Sequence, residues 1–306
     1  EMCIRDSSVL YGPDAFSGVV NIVPKNTKDK NLKFSQQFGS YDSGFWNVNG
    51  QVQIGDTFLS LNQKKGSYKR IFEELEEESN GLLSSLTHNA IDMNKVINGD
   101  RVNGNLEFNF TQDKQTFENT RDLNIIKSTN KLLGLQYSGV LGLLGEIEIA
   151  YANHSLSEDQ ALRNTTSMIS RNLDHTAHKV DTRKYINLGI IEWMFGAQLE
   201  KSKLKFWDNR NLPNINQVGL VGANLNRDQL GFATVLKIHS KGDKEGYWLT
   251  DLDVSFRQDR VNDHKSNLNF RSDHNPENGE LSFLDFGENK WENNIFKIST
   301  IASKRM

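Results

Sequence analysis

A period-two alternation of apolar and polar residues is the feature that most constrains the fold of this chain. It runs from Trp46 to Ile54, where apolar residues and glycine alternate with Asn and Gln, and it recurs at 105–110, 146–151 and 248–257. Successive side chains of a β-strand project to opposite faces, so each segment predicts a strand with one apolar and one strongly polar face. In a soluble sandwich the apolar face forms the core, whereas in a membrane barrel it faces lipid, and the alternation does not choose between these two folds.

The composition excludes some classes of protein. The 306 residues have a mean hydropathy of −0.60 and are 36% hydrophobic, and no apolar run is long enough for a spanning helix. A membrane barrel remains compatible with these values, because only every second strand residue faces lipid. The net charge of −3 and the pI near 6.2 give no reason to expect a nucleic acid partner.

A dense motif lies near the start of the chain, at residues 8–25. It predicts a short helix, a tight turn and a buried strand. Gly12 suits a helix C-cap, and Pro13 directly after it prevents the helix from continuing. The run 19–23 is β-branched except at Asn21 and is apolar enough for an interior strand.

This motif resembles the end of the plug domain of TonB-dependent outer-membrane receptors, where a pattern V-L-Y-G-x-D-A-x-x-G-V-V-N-I leads into the barrel. The resemblance implies an all-β fold: a partial transmembrane antiparallel barrel of about 10–13 strands, preceded by the last helix-turn-strand of the plug. It also implies that the matching residues shape and anchor the plug and do not bind ligand. These residues are Tyr11, Gly12, Asp14, Ala15, Gly18, Val20, Asn21 and Ile22.

The resemblance divides the chain into three parts. Residues 1–6 match neither a plug nor a signal peptide and look like the translation of a sequencing adapter, so we expect an artefact that includes Cys3, the single cysteine. Residues 7–28 correspond to the C-terminal end of the plug, and residues 29–306 to the N-terminal portion of the barrel. Barrels of the family have about twenty-two strands, so the TonB box, most of the plug and the later strands are expected to be missing.

Turn signals predict an alternation of short turns and long polar outer loops. The first strand is expected to start near Leu32 and to end at a short outer loop, 39–44. We expect short turns at 55–56, near 111–114, near 139–145 and at 241–246, and long connections at 66–100, 157–182, 208–228 and 260–278.

Several loop residues suggest metal or ligand chemistry. The acidic run 73–78 could bind calcium or simply be solvated. The histidines of the long loops (His175, His178, His264 and His274), three of which follow an Asp, are candidates to ligate haem iron or a transition metal; the alternative is that they are solvated. Arg70, Arg210, Arg257 and Arg271 could contact an anionic ligand, but the sequence selects none of them.

The resemblance implies a receptor of the bacterial outer membrane that takes up a scarce ligand, such as a siderophore–iron complex, haem or cobalamin. Its partners would be this small-molecule or metal-chelate ligand, outer-membrane lipid and the TonB–ExbB–ExbD energy-coupling complex. No catalytic motif is present, so we expect no enzymatic activity, no catalytic residues and no cofactor. The alternatives are a plugless outer-membrane porin or adhesin barrel and a soluble β-rich binding protein.

Overall fold

A computed structural model describes residues 31–39, 43–71, 81–119, 124–164, 167–211, 219–239, 248–271, 281–285 and 289–304. The plug motif, the acidic run 73–78 and His274 lie outside these residues. No helix among them is long and apolar enough to cross a membrane.

Within the described ranges, thirteen strands form one antiparallel sheet. Each strand from β1 to β12 pairs with its neighbour in the chain, and β13 pairs with β11 beside β12. The strands are β1 Asn31–Phe38, β2 Gly44–Ile54, β3 Thr57–Ile71, β4 Gly81–Asn98, β5 Val102–Asn119, β6 Asn124–Leu141, β7 Glu146–Asn164, β8 Ser167–Asn187, β9 Ile191–Asn211, β10 Gly219–His239, β11 Trp248–Arg271, β12 Leu281–Asp285 and β13 Asn289–Lys304.

The sheet is open within the described part of the chain, because β1 pairs with β2 and not with β12 or β13. The all-β fold, the expected number of strands and the partial-barrel topology are thus confirmed. The predicted helix-turn-strand of the plug stays a prediction, since its residues lie outside the described ranges.

Short turns join the strands at one end of the sheet, at 55–56, 99–101, 142–145 and 188–190. Left-handed glycines make two of them tight: Gly55 has φ 57° and Gly189 has φ 84°. The predictions at 55–56 and 139–145 are confirmed. The turn predicted near 111–114 is wrong, because these residues lie inside β5. The turn predicted at 241–246 lies outside the described residues.

The predicted long loops are wrong in most of their length. Residues 157–182 belong to β7 and β8 with only 165–166 between the two strands, and β11 continues to Arg271. His175, His178 and His264 are therefore strand residues and not loop residues. Polar residues such as Asn, Asp and Ser have low strand propensity, but here the antiparallel backbone ladder continues through them.

The two faces of the sheet differ sharply in composition, as the alternation predicted. Residues that stand opposite each other in register project to the same face, so Phe195 of β9, Thr234 of β10 and Phe256 of β11 share a face. We call it the apolar face; it carries most of the exposed large hydrophobic residues. Among the residues whose side chains the structure describes, few apolar ones are buried, and the most buried large side chains are Arg257 and Asp259, on the opposite, polar face. A soluble protein has the reverse arrangement.

The apolar residues form a band that starts at the short turns and ends at a common level. On β9 the apolar face reads Ile191, Trp193, Phe195, Ala197 and Leu199, and then changes to lysine. A segment of about nine to eleven residues is the length with which a tilted strand crosses a membrane. Two lysines of this face, Lys95 and Lys184, lie near the short turns, where their long stems can reach the rim.

Beyond the band, the long strands continue with mostly polar residues on both faces. β11 spans 24 residues, more than twice the length of the band. The strands thus extend as paired ribbons past the apolar band on the side away from the short turns.

Replacing Gly104 by alanine is expected to destabilise the β5–β6 pair by about 1–3 kcal/mol, because a Cβ there overlaps the neighbouring strand. That Cβ would lie 2.3 Å from the carbonyl oxygen of Ser138. Chemical unfolding in detergent, followed by tryptophan fluorescence, measures the effect. Gly50→Ala is the matched control, since its Cβ would meet Leu32 Cδ1 at 3.7 Å. Equal effects of the two substitutions would contradict the close approach at Gly104.

Candidate functional site

The polar face carries a network of charged side chains across β6 to β11, at the level of the apolar band, with Glu148 and Tyr185 near the short turns and Gln198 and Asp259 near the far edge. We call it the charged cluster. It consists of Gln136, Glu148, Asp181, Arg183, Tyr185, Gln198, Arg257 and Asp259.

Arg257 and Asp259 form the buried end of the charged cluster. They are two residues apart on β11 and therefore share a face. Arg257 donates from Nε and Nη2 to the two oxygens of Asp259, at 2.8 and 2.7 Å, and from Nη2 to Gln198 Oε1 at 3.0 Å. The side chains of Arg257 and Asp259 are 2% and 0% exposed, so this bidentate pair is almost completely removed from water.

A glycine on the next strand makes room for this pair. A Cβ built on Gly231 would lie 2.6 Å from Asp259 Oδ1 and 2.7 Å from Arg257 Nη2. Any side chain at this position would therefore displace the ion pair. The Arg and Asp side chains lie flat over β10 because the residue beneath them has no side chain.

Glu148 is the second centre of the charged cluster. Its Oε1 accepts a hydrogen bond from Gln136 Nε2 at 2.9 Å, and its Oε2 accepts one from the Tyr185 hydroxyl at 3.1 Å. Arg183 lies beside it, with Nη1 at 3.7 Å from Glu148 Oε2 and Nε at 3.0 Å from Asp181 Oδ1. Charges of both signs are thus interleaved across the neighbouring strands β7 and β8.

The charged cluster is suited to stiffening the wall and to presenting a fixed polar surface. Each buried charge has an oppositely charged or hydrogen-bonding neighbour, as burial requires. Among the residues of the cluster there is no Ser or Cys nucleophile paired with a base.

Beyond the band, the same face carries further polar pairs. His88 Nδ1 lies 2.6 Å from Asp113 Oδ1, and Arg227 bonds Asp263 at 2.7 and 3.3 Å. These contacts line the polar face where it extends past the apolar band. This is the surface that a ligand approaching from that side would meet.

The structure separates the histidines that the sequence grouped together. His175 lies on the polar face, where its ring is 5.6 Å from the ring of His154, whose Nε2 is 2.8 Å from Asn130 Oδ1. His178 lies on the other face and stacks on Tyr151 with ring centroids 6.4 Å apart. His175 and His178 therefore do not form a joint site.

Metal or haem binding stays a prediction for the four histidines. The side chains of His264 and His274 lie outside the described ones. The part of the chain that the structure describes contains no group of three or more His, Cys, Asp or Glu that could hold a metal ion.

Sequence reasoning missed most of the charged cluster. Arg257 was one of four arginines that could contact an anionic ligand, and the sequence favoured none of them. The side chains of the other three, Arg70, Arg210 and Arg271, lie outside those that the structure describes. The alternation already assigned residues such as Glu148 to the polar face. Their partners depend on the register between strands, which the alternation does not contain.

A depression of about 440 Å³ borders the cluster and opens among Phe195, Phe232 and Phe256 of the apolar face. Its floor is formed by small residues, including Gly196 and Ala197. Because its walls are apolar, it suits a hydrocarbon chain better than a polar ligand.

Two solved structures share this architecture. One is the ferric yersiniabactin uptake receptor FyuA from Yersinia pestis, with a TM-score of 0.61 and 9% identity; the match covers 90% of this chain and 45% of that one. The other is the siderophore receptor PiuA from Acinetobacter baumannii, with a TM-score of 0.51 and 10% identity, covering 90% and 47%. No protein-family model matches the chain. No curated protein matches it either.

These likenesses show that the chain has the same fold as part of each of the two receptors. The barrel fold that the motif at residues 8–25 led us to expect agrees with these two structures. The chain spans less than half the length of either receptor. Both structural neighbours are receptors and not enzymes.

Proposed function

We propose that this chain is the N-terminal part of the barrel of a TonB-dependent receptor, with the end of the plug at residues 7–28. The receptor takes up a scarce ligand, such as a siderophore–iron complex, haem or cobalamin, across the bacterial outer membrane. The observation that carries the proposal is the coincidence of two independent features. The motif Tyr11 to Ile22 resembles a plug end, and the strands that follow it have the receptor-barrel fold.

The distribution of apolar residues supports placing the strands in a membrane. Large side chains such as Phe232 and Phe296 are 48% and 65% exposed on one face, while Arg257 and Asp259 are buried on the other. Lipid covers the apolar face of a barrel, and the interior accepts polar residues. The alternative of a soluble sandwich would leave this apolar face in water. The porin or adhesin alternative does not explain the motif ahead of β1.

In this proposal the polar face lines the lumen, and the charged cluster forms a rigid part of the wall that faces the plug. The ribbons beyond the band, with His88, His154 and Arg227 on their polar face, extend outside the membrane and meet the ligand first. Energy comes from the TonB–ExbB–ExbD complex, which acts through a segment that precedes the plug motif.

The test is uptake by the complete receptor, recovered by sequencing the locus upstream of the Ser7 codon and downstream of Met306. The gene is expressed in iron-starved bacteria that lack their own receptors, in strains with and without TonB. We expect growth on at least one ferric siderophore, haem or, in a cobalamin auxotroph, cobalamin, and we expect it only with TonB. Growth that is the same without TonB would overturn the proposal and favour a passive porin.

A further inference from the structure

A basic surface lies on the apolar face of β3 to β6, directly beyond the apolar band. We call it the basic patch. The last apolar row across these strands is Leu61, Ile91, Phe110 and Leu133. The next three rows are Gln63–Asn89–Gln112–Lys131, Lys65–Thr87–Lys114–Thr129 and Ser67–Ser85–Thr116–Lys127.

The lysines of the basic patch are exposed and spaced for joint binding. Lys65, Lys114, Lys127 and Lys131 are all exposed. Neighbouring strands are about 4.8 Å apart, so Lys65 and Lys114, two strands apart in one row, are separated by roughly 10 Å at the backbone. Lys131 lies one row closer to the band and Lys127 one row farther.

No carboxylate interrupts the three rows. The nearest carboxylates on this face are Asp159 of β7, which stands opposite Lys127, and Glu118, which lies one row farther from the band, beside Leu83 and Ile125. Lys65, Lys114 and Lys131 have no acidic residue opposite them. Within the described part of the chain, none of the four lysines is in an ion pair. The residues between them are Gln, Asn, Thr and Ser, whose amides and hydroxyls can donate hydrogen bonds.

The excess of positive charge on β3 to β6 lies on their apolar face and not on their polar face. On the polar face of β4 and β5, the same level carries Asp113, which lies 2.6 Å from His88, and Asp92 and Glu107 follow nearer the short turns. The lysines of β9 are different again, because Lys201 lies 4.0 Å from Asp228 and Lys205 stands opposite Asp174. The excess of positive charge is thus cleanest on β3 to β6.

We propose that the basic patch binds the phosphate groups of anionic lipid headgroups in the leaflet that borders it. The inference rests on the proposed membrane placement. Given that placement, the row after Leu61 and Phe110 enters the headgroup region, where phosphates lie. Each lysine near such a surface strengthens association about fivefold, and the neighbouring amides and hydroxyls supply further donors to phosphate oxygens.

The test compares the chain with the variant Lys65→Gln/Lys114→Gln/Lys131→Gln. Binding to vesicles of phosphatidylcholine alone, or mixed with phosphatidylglycerol, is measured by co-flotation. We expect the unchanged chain to bind vesicles with anionic lipid more tightly than neutral vesicles. For the variant, we expect this ratio of anionic to neutral binding to be about 100-fold smaller. Association of the variant with neutral vesicles stays unchanged, and circular dichroism verifies equal strand content.

The matched control is Lys33→Gln/Lys179→Gln/Lys237→Gln, which removes the same charge from the polar face. It should keep the gain from anionic lipid. A second arm adds inorganic phosphate at fixed ionic strength; because the patch binds a lipid surface, we expect phosphate to displace little of the bound chain. Full displacement by phosphate would contradict the lipid assignment.

The outcomes separate the two proposals. If the chain associates with both kinds of vesicle, two results would show that the basic patch is wrong while the membrane placement stands. In the first, the patch variant keeps the gain in binding from anionic lipid. In the second, the control variant loses as much of this gain as the patch variant. If neither the chain nor the complete receptor inserts into either kind of vesicle, the membrane placement fails and the basic patch fails with it.

Discussion

Replacing Asp259 by alanine is expected to lower the free energy of unfolding by about 3–5 kcal/mol, the usual cost of removing one partner of a buried ion pair. Arg257 would lose both hydrogen bonds to the carboxylate while its guanidinium stayed 2% exposed. Chemical unfolding of the chain in detergent micelles, followed by tryptophan fluorescence, gives the free energy of each variant.

The matched control for Asp259→Ala is Arg260→Gln on the same strand. Arg260 Nε lies 2.9 Å from Glu292 Oε1, but the two side chains are 59% and 52% exposed. Exposed pairs contribute about 0–1 kcal/mol. If Asp259→Ala costs no more than Arg260→Gln, the Arg257–Asp259 pair is not the buried anchor described above.

Replacing Phe195 by arginine is expected to reduce insertion into lipid vesicles strongly, by about 2–4 kcal/mol, because a charge on the lipid face near the bilayer centre is costly. Phe195 lies midway along the apolar band of β9, and its ring is 4.3 Å from that of Trp193. Insertion is measured as the fraction of chain protected from added protease in vesicles.

Trp207→Arg is the matched control for Phe195→Arg. Trp207 is an aromatic residue on the same strand and the same face, with 42% exposure against 38% for Phe195, but it lies beyond the lysines that end the band. We expect it to insert like the unchanged chain. Equal loss of insertion by both variants would mean that the apolar band does not mark the membrane.

The sequence allowed the strands and their faces to be predicted where apolar and polar residues alternate strictly. In β2, and in β5 as far as Phe110, the alternation is maintained, and both the strand and the polarity of each face are as expected. The Gly-Asp turn at 55–56 was also predictable, because Gly55 supplies the positive φ that a two-residue hairpin needs.

The sequence could not reveal how far the strands extend. The stretch from Ser157 to Thr182 is rich in polar residues on both faces, and by composition it resembles a loop. Its backbone is nevertheless paired almost throughout, from Ile147 opposite Lys184 to Asn164 opposite Ser167. Pairing with a neighbouring strand stabilises this polar segment as a strand. Whether it forms a strand therefore depends on the neighbouring strand and cannot be read from the sequence of the segment itself.

The contacts of the candidate site could not be predicted from the sequence, for a related reason. Arg183 is near Glu148 only because β7 and β8 pair in one particular register. A shift of one residue would place Glu148 on the other face relative to Arg183. The pair His154 and His175 escaped detection in the same way, whereas His175 and His178, close in sequence, project to opposite faces.

The most direct test of the membrane placement is an accessibility scan along β9. Single cysteines at 192–207, in a Cys3→Ser background, carry a spin label in lipid vesicles, and its collisions with lipid-dissolved oxygen and with a water-soluble nickel complex are measured. We predict high oxygen access at 193, 195, 197 and 199, low oxygen access at the even positions between them, and high nickel access at 201, 203 and 205. If 193–199 are shielded from both reagents, the apolar face is a protein core and the sheet is not a membrane wall.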